Sequence, residues 1–335
     1  MTLMTKILGA AATGLALTAT ASFADPALIY DLGGKFDKSF NEAAFNGATR
    51  WAAETGGEFK DIELTSEAQR EQALRRFAEQ GFSPVITTGF SFSTPIANVA
   101  GDYPDTKFVT IDGWVDPEAN PNVLSIGFSE HEGSYLVGMI AAAGSESGTV
   151  SFVGGMDIPL IRKFACGYAQ GVKAVNPDAT VIANMIGTDP SAWNDPVKAS
   201  ELTKAQISQG SDVIFAAAGA SGLGVLQTAA DEGVYGIGVD SNQNYLYPGA
   251  ILTSMLKRVD NAVYDAMTAG ADLETGVQVK DLSNRGVGFA LDGYNETLVD
   301  FDTLSAVYAA AGDIVSGEIE VHDYAVDNTC PAVEF

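Results

Sequence analysis

Histidine and cysteine are nearly missing from this chain of 335 residues, which holds two of each, His131, His322, Cys166 and Cys330. Neither histidine has a second histidine or a cysteine at metal-ligand spacing, so no transition-metal site is expected and no cofactor is called for. Positive charge is scarce as well: 18 Lys and Arg stand against 43 Asp and Glu, a formal net charge of -25. Such a surface repels phosphate backbones and anionic lipid, which argues against a nucleic-acid partner; solubility is the plain reason for the acidity. The usual catalytic signatures are lacking too. Gly33-Gly34-Lys35 has no glycine four residues before the Gly-Lys pair, and Phe36 replaces the Ser or Thr of a phosphate loop. Glycines 219, 222 and 224 are in the wrong order for a dinucleotide fingerprint, and Ser221 is not in a nucleophile elbow. No linker, repeat or low-complexity tract divides the chain.

Long apolar runs are absent except for one, residues 7–21, which follows Lys6 and precedes Ser22-Phe23-Ala24. It is shorter than the ~20 residues of a bilayer span, and the small residues after it suit a signal peptidase. The expectation is a signal peptide over residues 1–24, a product beginning near Asp25, export to the periplasm and no direct membrane insertion. No cysteine near the cleavage site offers itself for lipid attachment. In an oxidising compartment Cys166 and Cys330 can form one disulfide, although sequence does not show that they meet.

What is present is an alternation. Short apolar runs at residues 27–30, 84–87, 107–111, 149–153, 180–185, 213–217, 236–239 and 250–254 read as strands apolar on both faces. Amphipathic patterns at 40–54, 67–79, 132–143, 161–175, 196–209, 222–232 and 259–268 read as the helices between them. The pattern predicts an α/β protein with doubly wound parallel sheets, and roughly 310 residues after processing exceed one growing core, so two lobes are expected. The expected lobes are residues 25–128 with 256–285 and residues 129–255 with 286–335, joined by a multi-strand hinge. Ligands of such sheets sit beyond the carboxyl ends of the strands. That directs attention to residues 31–41, 88–93, 112–114, 154–159, 188–195, 219–222 and 240–244.

In the first of these loops, Ser39 and Glu42 have capping-box spacing, so a helix should start there with Phe40 and Asn41 on its first turn. A phenylalanine on a helix face is ordinarily core, yet the neighbouring Asn41 and the glycine-rich approach fit a ligand wall equally well. Asp112 and Asp240 stand at strand ends, where aspartate is common in turns. Lys257 by itself reads as a solvated lysine, and Gly219 as a turn residue.

Asp37-Lys-Ser-Phe-Asn resembles the opening motif of the basic membrane protein family, nucleoside receptors of ABC importers. Further matches follow in order: Phe108-Val-Thr-Ile-Asp112, Glu132-Gly-Ser-Tyr-Leu-Val-Gly, Phe152-Val-Gly-Gly-Met-Asp-Ile-Pro-Leu-Ile, Gly238-Val-Asp240-Ser-Asn-Gln and Leu252-Thr-Ser-Met-Leu-Lys257. The resemblance implies a type I periplasmic-binding-protein fold and a monomer that binds purine nucleosides and passes them to an ABC permease with its ATPase. It implies no enzyme chemistry. It places the base between Phe40 and Trp193, base recognition on Asn41 and Asp112, and ribose binding on Asp240 and Lys257 as a Lys-Asp pair, with Gly219 letting the backbone approach. Two positions depart from the family pattern: Trp193 where phenylalanine is common, and Asn242 where many relatives have a second aspartate. Rival readings are a same-fold receptor for a sugar, a signalling furanose or a flavin, a nucleoside-cleaving enzyme, and a sugar-responsive repressor. The enzyme lacks a histidine or metal constellation, and the repressor lacks a basic DNA-reading domain.

Overall fold

The computed structural model describes residues 24–334, so all of the expected signal peptide except Ala24 lies outside the described residues. Strands and helices alternate from the start. β1 (Ala27–Tyr30), α1 (Phe40–Thr55), β2 (Lys60–Glu63), α2 (Arg70–Glu79), β3 (Val85–Thr88), α3 (Ser93–Val99), β4 (Phe108–Ile111) and β5 (Val123–Phe128) form the first half. The second half runs α4 (Glu130–Gly144), β6 (Thr149–Met156), α5 (Pro159–Val175), β7 (Thr180–Gly187), α6 (Pro196–Ser208), β8 (Val213–Ala217), α7 (Gly222–Asp231), β9 (Tyr235–Asp240) and β10 (Ile251–Lys257). α8 (Val259–Ala269), β11 (Gly276–Lys280), β12 (Val287–Phe289), α9 (Phe301–Ser316) and α10 (Tyr324–Asp327) complete the chain.

Two six-stranded sheets result, ordered β2-β1-β3-β4-β5-β11 and β7-β6-β8-β9-β10-β12. All neighbouring strands are parallel except the β10–β12 pair. Both sheets therefore repeat one doubly wound order, with a switch point between β1 and β3 in the first and between β6 and β8 in the second. The chain passes from one sheet to the other three times: after β5, after β10, and between β11 and β12. The central strands are buried on both faces, as β1, β3, β4 and β8 show at every residue, which is why they read as unbroken apolar runs.

Helix ends follow local chemistry. Asp195 caps α6 by accepting from Lys198 N, with Pro196 at its first position, and α1 ends on Gly56 in the left-handed conformation at φ 72°. α4 and α5 pack backbone to backbone. A β-carbon on Gly171 would stand 1.9 Å from Tyr135 O, and one on Gly138 would stand 2.2 Å from Tyr168 O. With Gly167 likewise against His131, that closeness brings the first turn of α4, and the charges it carries, against the first half of α5. In the middle of α5, Cys166 is joined to Cys330 with a Cα–Cα distance of 5.6 Å, tying the C-terminal segment to the second sheet's helices. Among the described residues, no helix is long and apolar enough to cross a membrane.

Candidate functional site

The turn after β1 departs from the expected capping box. Asp37, not Ser39, caps α1: its carboxylate accepts from the backbone N–H of Ser39, Asn41 and Glu42 at 2.9, 3.0 and 3.1 Å. Burial raises Asp37 to about 6 even against those three donors. Glu42 turns back to Lys38, accepting from its backbone N–H at 3.2 Å and its ammonium at 3.0 Å. Ser39 is thereby free to donate its hydroxyl to Asp240, across the gap between the sheets. Two more bonds cross at the same place, Ser241 Oγ to Ser39 O at 3.0 Å and Gln243 Nε2 to Lys38 O at 3.1 Å.

One residue beyond Phe40, Asn41 is committed largely to structure. Its amide nitrogen donates to Asp31 O at 3.2 Å and Gly34 O at 3.1 Å, and its oxygen accepts from Thr88 Oγ1 at 2.7 Å. A single carbonyl lone pair remains for anything else. Asp31, at the end of β1, has Oδ1 occupied by Arg70 Nη2 at 2.8 Å, Arg70 Nε at 3.2 Å and Leu32 N at 2.9 Å. Its other oxygen faces Gly89, where a β-carbon would come within 2.7 Å of it.

Trp193 is seated on glycine. A β-carbon at Gly155 would lie 2.3 Å from the indole, so the ring rests directly on the β6 backbone. Positions for β-carbons on Gly33 and Gly219 lie 3.5 Å from Trp193 atoms, in ordinary contact. Gly219 has φ 56°, a conformation that costs an L-residue strain. Gly33 belongs to a loop of the first sheet, Gly155 to strand β6 of the second and Gly219 to a turn of the second, so Trp193 stands between the two halves.

The charged groups converge elsewhere in the site. Asp112 and Asp240, at the ends of β4 and β9, both have positive φ, 66° and 62°, the kind of backbone strain that concentrates at functional positions. Lys257 ends β10 with its side chain 2% exposed, and its Nζ lies 2.6 Å from Asp112 Oδ2. The expected Lys257–Asp240 pair is corrected here: Lys257 pairs with Asp112, while Asp240 takes the Ser39 hydroxyl. Lys257 Nζ also lies 2.8 Å from Glu130 Oε1 and among the rings of Phe128, Phe40 and Phe164, 5.0 to 5.4 Å from their centroids. Asp112 Oδ1 is buried and accepts no hydrogen bond among the described residues.

Burial raises Asp112 to about 6 against the pull of Lys257, with Glu130 and Asp240 adding to the rise. Asp240 is raised to about 6 by burial as well, opposed by Lys257 and the Ser39 hydroxyl. Burial works against the Lys257 ammonium, but Asp112, Glu130 and Asp240 outweigh it and raise the group above its ordinary value. Burial alone would raise Glu130 too; Lys257 and Lys163 together hold it down at about 2.

Phe40, Asn41, Asp112, Trp193, Gly219, Asp240 and Lys257 all line one cavity between the sheets, beside Asp31, Gly89, Leu160 and Phe164. About 670 Å³ of space lies within these walls when the open mouth is counted. Among the described residues there is no cluster of three or more His, Cys, Asp or Glu that could hold a metal. Reading the sequence alone overlooked Asp31, Asp37 and Glu130. Asp31 falls in a loop already marked for scrutiny; Glu130 has no signal beyond an acidic first turn.

Three kinds of comparison bear on this geometry. Residues 26–324 match the family described as ABC transporter substrate-binding protein PnrA-like. The chain is 29% identical to the ABC transporter nucleoside-binding protein BmpA of Lactococcus lactis, covering 88% of each chain. It is 31% identical to a CD4+ T-cell-stimulating antigen of Listeria monocytogenes over 88% of this chain and 87% of the other. Among solved structures, an ABC transporter solute-binding protein from Aeropyrum pernix superposes with a TM-score of 0.80 at 26% identity, covering 90% and 93%. Two parallel-dominated sheets with flanking helices are the shared frame, and the chain belongs to the Bmp family of PnrA-like ABC transporter substrate-binding proteins.

Proposed function

We propose that this substrate-binding protein captures a purine nucleoside, with the base between Phe40 and Trp193 and the ribose against Asp112, Asp240 and Lys257. The observation that carries this reading is the make-up of the single cavity they line: aromatic side chains from both sheets and, with them, two carboxylates beside one ammonium. Carboxylates accept from the paired hydroxyls of a ribose, an ammonium donates to them, and aromatic faces stack on a base at about 1–3 kcal/mol per ring. On this reading Asp112, bonded to Lys257, goes with it to the ribose end, where the family resemblance had given it to the base. The base edge then meets the remaining lone pair of Asn41 and the second oxygen of Asp31, both acceptors.

Because β10 runs to Lys257 within the second sheet, the lobe boundary expected at residue 256 falls after Lys257. Ligand binding then closes the lobe of residues 25–128 with 258–285 on that of 129–257 with 286–335, and the closed form is what the permease, driven by its ATPase, receives in the periplasm. Acceptors at the base edge favour guanosine and inosine, which present N1–H, over adenosine, whose N1 lone pair would face them. Calorimetric titration of guanosine, inosine, adenosine, ribose and riboflavin against the wild type and the Asp112→Asn and Asp31→Asn proteins tests this. Asp112→Asn should weaken all three nucleosides alike, and Asp31→Asn should change their ranking. Nucleosides that fail to bind while ribose or riboflavin does would transfer the protein to another ligand class, and release of free base on incubation would make it an enzyme.

A further inference from the structure

Lys257 has more counter-charge than pairing needs. Asp112 alone, at 2.6 Å, satisfies an ion pair, yet Glu130 is also completely buried at 2.8 Å. Taking a second carboxylate out of water is costly. The fold meets that cost with Lys163, 3.0 Å from Glu130 Oε2. Lys163 in turn donates to Phe128 O at 2.7 Å and reaches Asp323 at 3.2 Å, with His131 a further 3.9 Å from Asp323. Both Glu130 oxygens make ion-pair contacts without directed hydrogen bonds, so charge and not bond geometry holds the group there.

The distribution of these groups over the fold supplies the reason. Lys257 ends β10 of the second sheet; Glu130 begins α4, which packs on β10, β12 and α5; Lys163 lies on α5; and Asp323 caps α10, which packs on α5. These four residues therefore sit on elements packed together around the second sheet. Asp112 ends β4 of the other sheet. Any separation of the lobes takes Asp112 away from Lys257 and leaves Glu130 beside it. We infer that Glu130 is the resident counter-ion of Lys257, a positioning residue that keeps the ammonium charged and in place whether the lobes are open or closed. Asp112 is the exchangeable partner, bonded in the closed form and released when the lobes part. The inference rests on the reading that Lys257 contacts the ligand.

The test compares Glu130→Gln, Glu130→Asp and Asp112→Asn in the full chain without ligand, by the 15Nζ ammonium signal of Lys257 at pH 7, which exchanges slowly only while buried and ion-paired. Glu130→Gln should abolish that signal, Glu130→Asp should restore it, and Asp112→Asn should leave it. Guanosine affinity should fall about tenfold in Glu130→Gln, roughly 1.4 kcal/mol, and recover in Glu130→Asp. A signal that survives Glu130→Gln, or is lost in Asp112→Asn, overturns the assignment; the second arm decides the matter even if Glu130→Gln does not fold. Wild-type protein that shows the expected signals and binds no nucleoside would sink the ligand reading and leave the role of Glu130 standing.

Discussion

The two ends of the cavity are built on opposite principles. At one end, charged side chains are held in place by each other: Asp112, Lys257 and Glu130 are buried and in contact, and Asp240 is fixed by Ser39. At the other, the shape comes from what is missing, since Trp193 lies on a strand whose Gly155 has no side chain. Electrostatic order is strong, sensitive to pH and intolerant of losing one member, whereas steric order depends on volume alone. The difference teaches that one binding site can fail in two unrelated ways.

The largest effect is expected at the charged end. Lys257→Met leaves Asp112 and Glu130 as buried carboxylates without their shared cation, a defect that costs about 3–5 kcal/mol. Urea unfolding should register that loss, and nucleoside binding should disappear. If Lys257→Met keeps wild-type stability, the charged end is not held together by its ion pairs and the contrast with the glycine end falls.

At the steric end the effects are smaller and confined to affinity. Trp193→Ala should weaken guanosine binding by about 1–3 kcal/mol, roughly 5- to 150-fold in Kd, with the fold intact. Gly155→Ala places a methyl group inside the indole's position and should cost a comparable amount without touching the tryptophan. Calorimetry on both proteins sharpens the comparison: equal losses mean that the seat matters as much as the ring. An unchanged affinity in Trp193→Ala would reduce the indole to packing.

The smallest effect is on pH, and its sign separates the two ends. Asp37, Asp112 and Asp240 are each raised to about 6, so the stability they contribute is full below the unfolded aspartate value and is lost as pH rises through 6. His131 works the other way: burial lowers it to about 4, so its contribution is lost as pH falls through the ordinary histidine range. Three carboxylates against one histidine leave a net gain on the order of 1–2 kcal/mol between pH 7 and pH 5 in the ligand-free protein. Guanosine affinity should move oppositely, falling over the same interval as Asp112 and Asp240 take up protons and cease to be acceptor-only. Melting scans and titrations at pH 5, 6 and 7 check both signs. The Trp193→Ala protein, altered only at the other end, should keep the same pH slope.

The same division decides what could be read from the amino-acid sequence. Strands in the middle of a sheet announce themselves as apolar runs, and residues 213–217 were bounded as the structure bounds them. The strands passed over include β2, β11 and β12, which form sheet edges. An edge strand such as Lys60-Asp-Ile-Glu63 is half exposed and has no apolar run to see. β5 was missed for another reason, the polar Ser125 and Gly127 inside an otherwise buried run. In the site, aspartates at strand ends were visible because their loops were. Glu130 was not, because its neighbours Ser129, His131 and Glu132 describe a solvated helix start, and only the packing of α4 on α5 reveals that the position is dry. Similarly, Ser39 and Glu42 satisfied a local capping pattern that lost to Asp37, a competition between side chains that spacing does not rank.

The seat of Trp193 has an optical consequence. Three tryptophans occur in the chain: Trp51 is packed in the core at 9% exposure, and Trp114 is open to solvent at 64%. Only Trp193 lines the cavity. Neither Trp51 nor Trp114 lines that cavity, so a ligand held there lies against the Trp193 indole alone. A change in fluorescence on adding ligand therefore has one source, an indole lying between the two halves of the molecule, and the intrinsic spectrum measures occupancy without any attached dye.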